Sequence, residues 1–371
     1  MVDILEEDFE WIHDGLSERE RQALADSTVL LTGCAGFLGQ VIMGFLRRYR
    51  RKLQIRQIIG VDNRMLARAG VTTEGMLDRR RFAPGDGVSI HERDILNESL
   101  DSVPGAGSAD YVLHMASVAS PVFYRRFPLE TLDVNVWGLR SLLDYYQDRS
   151  VRSVVYFSTS EIYGDPPDGE IPTPETCRGQ VPTMGPRSCY DESKRFGETI
   201  CYYYHQEAGM PLVVVRPFNT FGPGMSLHDG RVHGDFARAL SRGRPLVMHS
   251  DGTPTRTYCY VSDAVIGYLK AMLHGRFDVF NIGMDQPEIS VSDLAQRYRA
   301  IGRRLWGVDC PVVHEPSADG EYLIHNPSRR CPDLSRARTM LDYRPRVSLD
   351  EGIKRYLQFV RGTMDSEEVC R

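Results

Sequence analysis

Short apolar runs alternate with helical patterns along this chain between Ser27 and Phe218. The runs read STVLLTG, QIIGVDN, VSIHERDI, ADYVLHMAS, SVVYFSTS and PLVVVRPFN. Most are rich in valine, isoleucine and leucine, and each has the length of a strand rather than of a helix. Strands of this composition must be covered on both faces, which is typical of a parallel sheet with helices on either side. We therefore predict an α/β fold built on a doubly wound parallel sheet.

The length and texture of the chain indicate more than one structural unit. With 371 residues, the chain exceeds the roughly 250–300 residues at which a single core stops growing. Beyond Phe218 the sequence becomes rich in glycine and proline, and before Ser27 the pair Ser17 and Glu20 has the spacing of a helical capping box. The predicted divisions are a helical N-terminal extension (1–26), a sheet domain (27–218, with a returning segment near 257–285), a smaller C-terminal substrate-binding lobe (219–256 and 286–362) and a tail (363–371).

Composition argues against several classes of function. The formal net charge of -5 gives no general attraction to nucleic acid. No apolar stretch approaches the roughly 20 residues of a membrane span, and the acidic start MVDILEEDFEW lacks the features of a signal peptide. The 8 cysteines are scattered without a C-x-x-C pair, which argues against zinc and against disulfides. We therefore expect a cytoplasmic protein with no metal, no nucleic-acid partner and no membrane contact.

A glycine-rich turn follows the first predicted strand. The strand runs directly into GCAGFLG (33–39), after which the apolar residues keep helical spacing. Gly33 permits a tight turn, Gly36 lets the backbone approach a pyrophosphate at the helix N-terminus, and Gly39 lets helix and strand pack closely. Because the glycines stand between a strand and a helix, the sequence predicts a dinucleotide site in a Rossmann-type fold.

Residues at the ends of the next strands extend this site. Asp62 follows at about the distance expected for a carboxylate that accepts hydrogen bonds from the adenosine ribose. Such a carboxylate would repel a 2′-phosphate, so the cofactor NAD is favoured over NADP. Asp94 ends the third strand, where it can meet the adenine amino group, and the fourth strand ends near the pyrophosphate. The predicted cofactor contacts from these segments are Gly33, Gly36, Phe37, Leu38, Gly39, Asp62, Asn63, Asp94, Ile95, His114 and Ala116.

A tyrosine and a lysine stand four residues apart in YDESK, as Tyr190 and Lys194. At a predicted helix start, this spacing puts both side chains on one face. A free tyrosine has a pKa of about 10, and a nearby lysine ammonium together with the positive helix end favours the phenolate. We therefore predict that the pKa of Tyr190 is lowered and that Tyr190 acts as a base near neutral pH.

The segments GCAGFLG, STSEIYG (158–164) and YDESK, with Asp62 and the Asp94-Ile95 pair, together resemble the extended short-chain dehydrogenase/reductase superfamily. The resemblance covers nearly the whole chain after residue 26, and it implies an enzyme that binds NAD(P) and acts on a nucleotide sugar. Members are usually dimeric through a bundle of helices. The resemblance therefore implies a homodimer, and the helix that carries Tyr190 is a candidate for its interface.

The same resemblance implies roles for three side chains. Tyr190 would take the proton of the sugar C4 hydroxyl while hydride passes to NAD. Lys194 would hold the nicotinamide ribose beside Tyr190, so both residues would also contact the cofactor. Thr159 matches the small hydroxyl residue that hydrogen-bonds the sugar O4.

The stretch STSEIYG bears on the reaction that follows C4 oxidation. Hexose 4,6-dehydratases resemble this chain but carry an Asp-Glu pair at the positions of Ser160 and Glu161. A serine is a poor general acid because its pKa lies far above neutrality. Typical C4-epimerases lack the carboxylate of Glu161. Dehydration and simple epimerisation are therefore both disfavoured, although neither is eliminated.

The segments STSEIYGDP, MGPRSCYDESKR, FNTFGPGM, HDGRV, TRTYCYVSD and RRCPDL most resemble the UDP-glucuronate decarboxylase (UDP-xylose synthase) family. This resemblance implies that UDP-glucuronate is oxidised at C4 to a β-keto acid, loses CO2 and is reduced again, giving UDP-xylose or a UDP-4-keto-pentose. Glu161 and Ser160 would act near C5 and the carboxylate. Arg330 matches the arginine that the family uses to recognise that carboxylate, although the family usually continues Arg-Lys-Pro-Asp where this chain has Cys331.

Four further residues match positions through which the family holds its substrate: Tyr124, Asn219, Arg231 and Arg256. The competing enzymatic interpretations are a UDP-glucuronate 4-epimerase and an NDP-hexose 4,6-dehydratase with altered acid chemistry. A competitor of another class is a non-catalytic dinucleotide sensor. Sensors of that kind commonly lose the tyrosine and lysine pair, which this chain retains as Tyr190 and Lys194.

Overall fold

The computed structural model of the protein describes residues 3–70 and 85–369. Within these residues, seven parallel strands form one central sheet, and the other strands are short. The strands are β1 (Thr28–Thr32), β2 (Gln57–Asp62), β3 (Val88–Glu92), β4 (Tyr111–His114), β5 (Ser153–Phe157), β6 (Leu212–Pro217), β7 (Thr220–Phe221), β8 (Leu246–Met248), β9 (Thr255–Arg256), β10 (Cys259–Tyr260), β11 (Asp278–Ile282), β12 (Ile289–Ser290), β13 (Val312–His314) and β14 (Arg329–Arg330).

The strand order of the central sheet is β11-β6-β5-β4-β1-β2-β3. The six apolar runs of the sequence form β1 to β6, and β11 extends the sheet beside β6. The α/β class with a doubly wound parallel sheet is therefore confirmed. The chain order reverses beside β1, which pairs with β2 on one side and with β4 on the other. In such sheets a crevice opens at the carboxyl ends of the strands, at the point of reversal.

Helices cover both faces of the sheet. Along β1, Leu30 belongs to one apolar core, while Val29 and Leu31 belong to the other. This division explains why the strands are apolar at nearly every position. The helices are α1 (Ile4–Asp14), α2 (Glu18–Ala23), α3 (Phe37–Tyr49), α4 (Met65–Arg68), α5 (Pro121–Arg126), α6 (Pro128–Asp133), α7 (Leu139–Tyr146), α8 (Ser188–Ala208), α9 (Val232–Ser241), α10 (Val261–His274), α11 (Val291–Trp306), α12 (Ser335–Leu341) and α13 (Leu349–Val369).

The N-terminal extension packs on the body of the protein, against α10, α3 and α13. The predicted capping box is present at the start of α2, where Ser17 and Glu20 exchange hydrogen bonds. In α1, the carboxylate of Asp8 is buried and accepts hydrogen bonds from Tyr260 Oη (2.7 Å) and Arg355 Nη1 (2.6 Å). The extension therefore contributes to the core through both apolar and polar contacts.

The chain after β6 brings two arginine-bearing strands close to the carboxyl edge of the sheet. Strand β9 lies between β12 and β14, so Arg256 on β9 is the register partner of Arg330 on β14.

The helix α13 continues to Val369, into the predicted tail (363–371). The last two residues of that tail lie outside the described chain, as do residues 1 and 2. None of the helices in the described ranges has a stretch long and apolar enough to span a membrane. The domain boundaries given above stay predictions.

Candidate active site

A cavity of about 1550 Å³ opens at the carboxyl ends of the central strands. Sites for one small ligand usually measure roughly 300–1,000 Å³, so this cavity has room for a dinucleotide together with a second ligand. Its lining includes most of the residues that the sequence singled out: Gly33, Gly36, Phe37, Leu38, Gly39, Asp62, Asn63, Asp94, Ile95, Ala116, Tyr124, Thr159, Ser160, Glu161, Tyr190, Lys194, Asn219, Arg231 and Arg256.

The glycine turn between β1 and α3 leaves no room for side chains at two of its positions. Gly33 has a φ of +72°, and a Cβ atom there would lie 2.7 Å from the backbone nitrogen of Ala116. A Cβ atom on Gly39 would lie 2.4 Å from the carbonyl oxygen of Gly33. Gly36 is the N-cap of α3, so the first N–H groups of that helix face the cavity beside a residue without a side chain. This arrangement fits a pyrophosphate at the helix N-terminus.

Asp62 stands at the end of β2, next to the glycine turn. Its carboxylate accepts hydrogen bonds from the backbone N–H groups of Ala35 (2.9 Å) and Arg64 (2.7 Å). Burial raises the pKa of Asp62, and these two hydrogen bonds oppose that rise. Arg64, the cation nearest to Asp62 in sequence, has its guanidinium 3.7 Å from Glu92. The carboxylate is thus held at the cavity wall, where it suits a ribose hydroxyl.

The remaining predicted cofactor contacts divide into two groups. Asn63, Asp94, Ile95 and Ala116 line the cavity. The side chain of His114 does not, because it is 1% exposed and lies inside the sheet, where Nδ1 is 2.8 Å from Thr32 Oγ1. Burial and the nearby Lys194 lower the pKa of His114 to about 3, so its ring is neutral. The predicted contact between the cofactor and this side chain is therefore not supported by its position.

Tyr190 and Lys194 lie on the first turns of α8, as their spacing predicts. The Thr159 side chain lies beside Tyr190 and opposes the rise of its pKa. Lys194 Nζ donates to the carbonyl oxygen of Phe157 (2.7 Å) and lies 5.9 Å from the centre of the Tyr190 ring. The end of β5 and the start of α8 therefore bring a tyrosine, a threonine and a lysine to one wall of the cavity.

The prediction that the pKa of Tyr190 is lowered is wrong when only the residues of the protein act on it. Burial raises the pKa of Tyr190, and the carboxyl groups of Glu161 and Asp191 raise it further, whereas the Thr159 side chain and the charge of Arg231 lower it. Lys194 is itself fully buried, and burial lowers its pKa to about 7. No local sequence pattern indicates that both side chains are removed from water, which disfavours the charged forms of both.

Tyr124 stacks on Tyr190, with ring centres 5.0 Å apart and planes inclined by 8°. Its side chain is buried, and its hydroxyl has no hydrogen-bond partner among the described residues. This contact fixes the plane of the Tyr190 ring. The family resemblance places Tyr124 near the sugar, but the stack is not predictable from local sequence, because the two residues are far apart in the chain.

Glu161 lies in a short 3-10 turn, Ser160–Tyr163, that follows β5. Its carboxylate forms ion pairs with Arg187 and with Arg330, whose Nη2 is 3.0 Å from Glu161 Oε2. Burial alone would raise the pKa of Glu161, but Arg330, Arg187 and Arg256 outweigh burial and hold it at about 2. Glu161 is therefore an anion and cannot serve as a proton donor near neutral pH.

Arg330 is buried behind this turn and does not line the cavity. Its side chain is 1% exposed, and its Nη1 donates to the carbonyl oxygen of Ser160 (2.6 Å). In this geometry Arg330 acts on the cavity through Ser160 and Glu161. Arg187, which lies in the segment MGPRSCYDESKR and has no role predicted from the sequence, does line the cavity. Its position one helical turn before Tyr190 was the only sequence signal for it.

Three predicted substrate residues from the chain after β6, Asn219, Arg231 and Arg256, also line the cavity. Asn219 Nδ2 donates to the carbonyl oxygen of Thr257 (3.1 Å), and Arg231 Nε donates to Asp229 (2.7 Å). Arg256 donates to the carbonyl oxygens of Thr255 (2.8 Å) and Pro327 (2.5 Å). Burial, followed by the charge of Arg330, lowers the pKa of Arg256 to about 10.

A family model described as the NAD dependent epimerase/dehydratase family matches residues 29–283. The chain belongs to this family. The resemblance to the extended short-chain dehydrogenase/reductase superfamily is thereby confirmed, and NAD is the cofactor. That cofactor fits three parts of the cavity: the glycine turn, the carboxylate of Asp62 and the wall beside Lys194.

Known proteins are similar to this chain over most of its length. UDP-glucuronic acid decarboxylase 1 of Arabidopsis thaliana is 33% identical over 345 residues, which are 92% of this chain and 71% of that protein. The crystal structure of UDP-glucose 4-epimerase from Thermotoga maritima, solved with UDP-glucose, has a TM-score of 0.76 at 26% identity and covers 91% of this chain and 99% of its own.

A second solved structure is UDP-glucuronic acid 4-epimerase from Bacillus cereus, in complex with UDP-glucuronic acid and NAD. Its TM-score is 0.70 at 23% identity, and the match covers 91% of this chain and 99% of that chain. This likeness concerns the fold. The comparisons therefore identify an enzyme family of nucleotide-sugar chemistry, in which both decarboxylases and 4-epimerases are similar to this chain.

Proposed function

We propose that this protein is an NAD-dependent UDP-glucuronate decarboxylase that forms UDP-xylose or a UDP-4-keto-pentose. The observation that carries the proposal is the anionic Glu161 beside the Tyr190–Thr159 pair, with Ser160 where a dehydratase needs an acid. The similarity to the Arabidopsis decarboxylase over 92% of the chain supports it. NAD, when bound, would accept the hydride from C4 and add a positive charge near Tyr190; returning the hydride after CO2 loss would give UDP-xylose, whereas release of the UDP-4-keto-pentose would leave the cofactor reduced.

Tyr190 takes the proton of the C4 hydroxyl in the first step. The Thr159 side chain beside it stabilises the phenolate, and its stacking on Tyr124 keeps the ring in one plane. Burial opposes the phenolate, and the positive nicotinamide ring of NAD, when bound, would favour it. Lys194, buried beside the same wall, orients the nicotinamide ribose.

The C4 ketone makes the sugar a β-keto acid, in which the C5–C6 bond breaks and CO2 leaves. The electron pair of that bond moves into the C4 enolate, and a proton is then added at C5. Tyr190, now protonated, and Thr159 donate hydrogen bonds to the developing enolate oxygen. Glu161 remains ionised, so we assign it to positioning and to the local charge rather than to proton donation.

Two other outcomes are tested by the same experiment. UDP-sugar 4-epimerases are among the similar structures, and a 4,6-dehydratase shares the first oxidation step. Purified protein is incubated with NAD and UDP-glucuronate or, in separate samples, with UDP-glucose or TDP-glucose, and the mass of the nucleotide sugar is followed. Loss of CO2 with a UDP-pentose product supports the proposal. Unchanged mass with inverted C4 indicates an epimerase, and loss of water from a UDP- or TDP-hexose indicates a dehydratase.

We also propose that the protein is a homodimer. Large apolar side chains are exposed on α8 and on the π-helical segment Val134–Gly138 that packs against it: Trp137 is 58% exposed, Phe196 52% and Tyr203 58%. Exposed apolar patches of this kind mark interaction surfaces. Sedimentation should give a dimer for the wild type and a monomer for a Trp137→Glu, Phe196→Glu double variant. A monomeric wild type would contradict the proposal. The cytoplasmic location stays a prediction.

A further inference from the structure

Arg187 occupies a position that the proposed reaction has not yet used. Its side chain is 12% exposed and lines the cavity, and its Nη2 bonds to Glu161. Its guanidinium carbon lies 6.0 Å from the centre of the Tyr124 ring, which stacks on Tyr190. Among the described residues, its Nε has no hydrogen-bond partner, although Asp191 lies 3.5 Å away as an ion-pair contact. Arg187 is therefore a cation with donor capacity at the wall that carries the proposed base.

Two other arginines near Glu161, Arg330 and Arg256, are less suited to bind a ligand. With Arg187, Glu161 and Asp191 they form one charged cluster. Arg330 is 1% exposed and is bonded to Ser160 and Glu161 behind the cavity wall. Arg256 lines the cavity, but its guanidinium already donates to backbone carbonyl oxygens and to Asn326. Neither has an exposed edge next to Tyr190.

The charges of the cluster also call for an anion. Three guanidinium groups, on Arg187, Arg256 and Arg330, face two carboxyl groups, on Glu161 and Asp191. Burial and the charge of Glu161 raise the pKa of Asp191 to about 7, so that second negative charge is only partly present near neutral pH. The cluster is therefore net positive beside the cavity, and a planar guanidinium binds a carboxylate well through paired hydrogen bonds.

In a 4-oxidised hexuronic acid, the C6 carboxylate is attached to C5, the neighbour of the carbon on which Tyr190 acts. A carboxylate at that distance from Tyr190 comes to the wall formed by Arg187 and Glu161. Glu161 bonds to Nη2 of the Arg187 guanidinium, and Nε makes no hydrogen bond to a described residue, although Asp191 lies 3.5 Å from it.

We propose that Arg187 is the residue that binds the substrate carboxylate, while Arg330 is a positioning residue that holds Glu161 and the Ser160 turn. This inference rests on the proposed function, because it presumes a uronic acid as substrate. It also fixes the kinetic role of Arg187. Since CO2 leaves without charge, the ion pair with Arg187 is strongest in the ground state, so it governs substrate binding and selectivity more than the rate of the chemical step.

The test compares dissociation constants of the full-length protein, loaded with NAD, for UDP-glucuronate and for UDP-glucose, which lacks the carboxylate. The variants are Arg187→Gln, Arg187→Lys and Arg330→Gln. The matched control is Arg195→Gln, which removes a guanidinium from the same helix that also bonds to the turn after β5, at Ile162 O. Thermal unfolding of each variant identifies those that are folded, and Arg330→Lys replaces Arg330→Gln if the latter does not fold.

Arg187→Gln should weaken binding of UDP-glucuronate by about 10- to 100-fold, as expected for a charge-assisted contact, while the affinity for UDP-glucose stays nearly unchanged. Arg187→Lys should restore part of the preference. In Arg187→Gln the KM for UDP-glucuronate should rise far more than kcat falls. The Arg195 and Arg330 variants should keep the preference for the carboxylated sugar.

Three results would overturn the assignment. If Arg187→Gln retains the wild-type preference and wild-type protein forms a UDP-pentose, only the role of Arg187 fails. If the preference is lost in the Arg330 variant but kept in Arg187→Gln, the carboxylate belongs to Arg330. If wild-type protein shows no preference for UDP-glucuronate and forms no UDP-pentose, the proposed function fails together with this inference.

Discussion

At the scale of single residues, the account depends on Tyr190. Tyr190→Phe keeps the ring that stacks on Tyr124 but removes the hydroxyl that is the proposed base. Because general base catalysis typically contributes about 10²–10⁴-fold, we expect kcat to fall by at least about 100-fold. The measurement is steady-state turnover of UDP-glucuronate, with thermal unfolding as a check of the fold.

Tyr202→Phe is the matched control for this substitution, because Tyr202 is exposed on the same helix. Its activity should equal that of the wild type. A Tyr190→Phe variant with full activity would remove Tyr190 from the role of base.

Sequence reasoning located the residues of the site better than it predicted their states. Gly33 and Gly39 could be assigned because their reasons are local: a turn and a close helix–strand contact. The raised pKa of Tyr190, the burial of His114 and the recessed position of Arg330 depend on which segments cover each side chain. Those contacts join residues far apart in the chain, so no local sequence pattern could predict them.

At the scale of elements, helix α1 contains a titratable group that links it to the body. Burial raises the pKa of Asp8 to about 7, from an ordinary value of 3.8, although Tyr260 and Arg355 oppose the rise. The folded protein thus favours the protonated carboxyl group. The stability from this group is complete below about pH 4 and is lost as the pH rises through about 7.

We therefore expect the free energy of unfolding to fall between about pH 4 and pH 7 by more in wild-type protein than in Asp8→Asn, which cannot ionise. The full shift corresponds to an upper limit of about 4 kcal/mol at about 1.36 kcal/mol per pKa unit. Denaturant unfolding at a series of pH values measures the difference. Parallel pH profiles for the two proteins would show that Asp8 does not titrate in this range.

The sequence indicated α2 through its capping box and left the role of the N-terminal extension open. Leu5, Phe9 and Ile12 lie at helical spacing on α1 and are buried against the body. What covers such a face is decided by the rest of the fold, here by α3, α10 and α13. The hydrogen bonds of Asp8 could not be predicted from the local sequence. Its partners, Tyr260 and Arg355, lie 252 and 347 positions further along the chain.

At the scale of the whole molecule, the strand order explains why most of the proposed catalytic and binding residues line one cavity. The reversal beside β1 opens the carboxyl edge of the sheet, and the chain after β6 returns over that edge with Arg231, Arg256 and Arg330. The alternating apolar runs predicted the sheet, because parallel strands need cover on both faces. That the end of β4 lies beside the glycine turn was predictable from the sheet topology. The ion pairs of Glu161 with Arg187 and Arg330 were not, because they bring together residues next to β5, at the start of α8 and on β14.

The central claim is that the carboxyl carbon of the sugar leaves as CO2, and labelling of that carbon tests it most directly. UDP-glucuronate with ¹³C at C6 is incubated with the protein and NAD, and the reaction is followed by carbon NMR. The account predicts that the label moves from the sugar carboxylate to dissolved CO2 and bicarbonate as an unlabelled UDP-pentose appears. Turnover that leaves the label in the nucleotide sugar would contradict it.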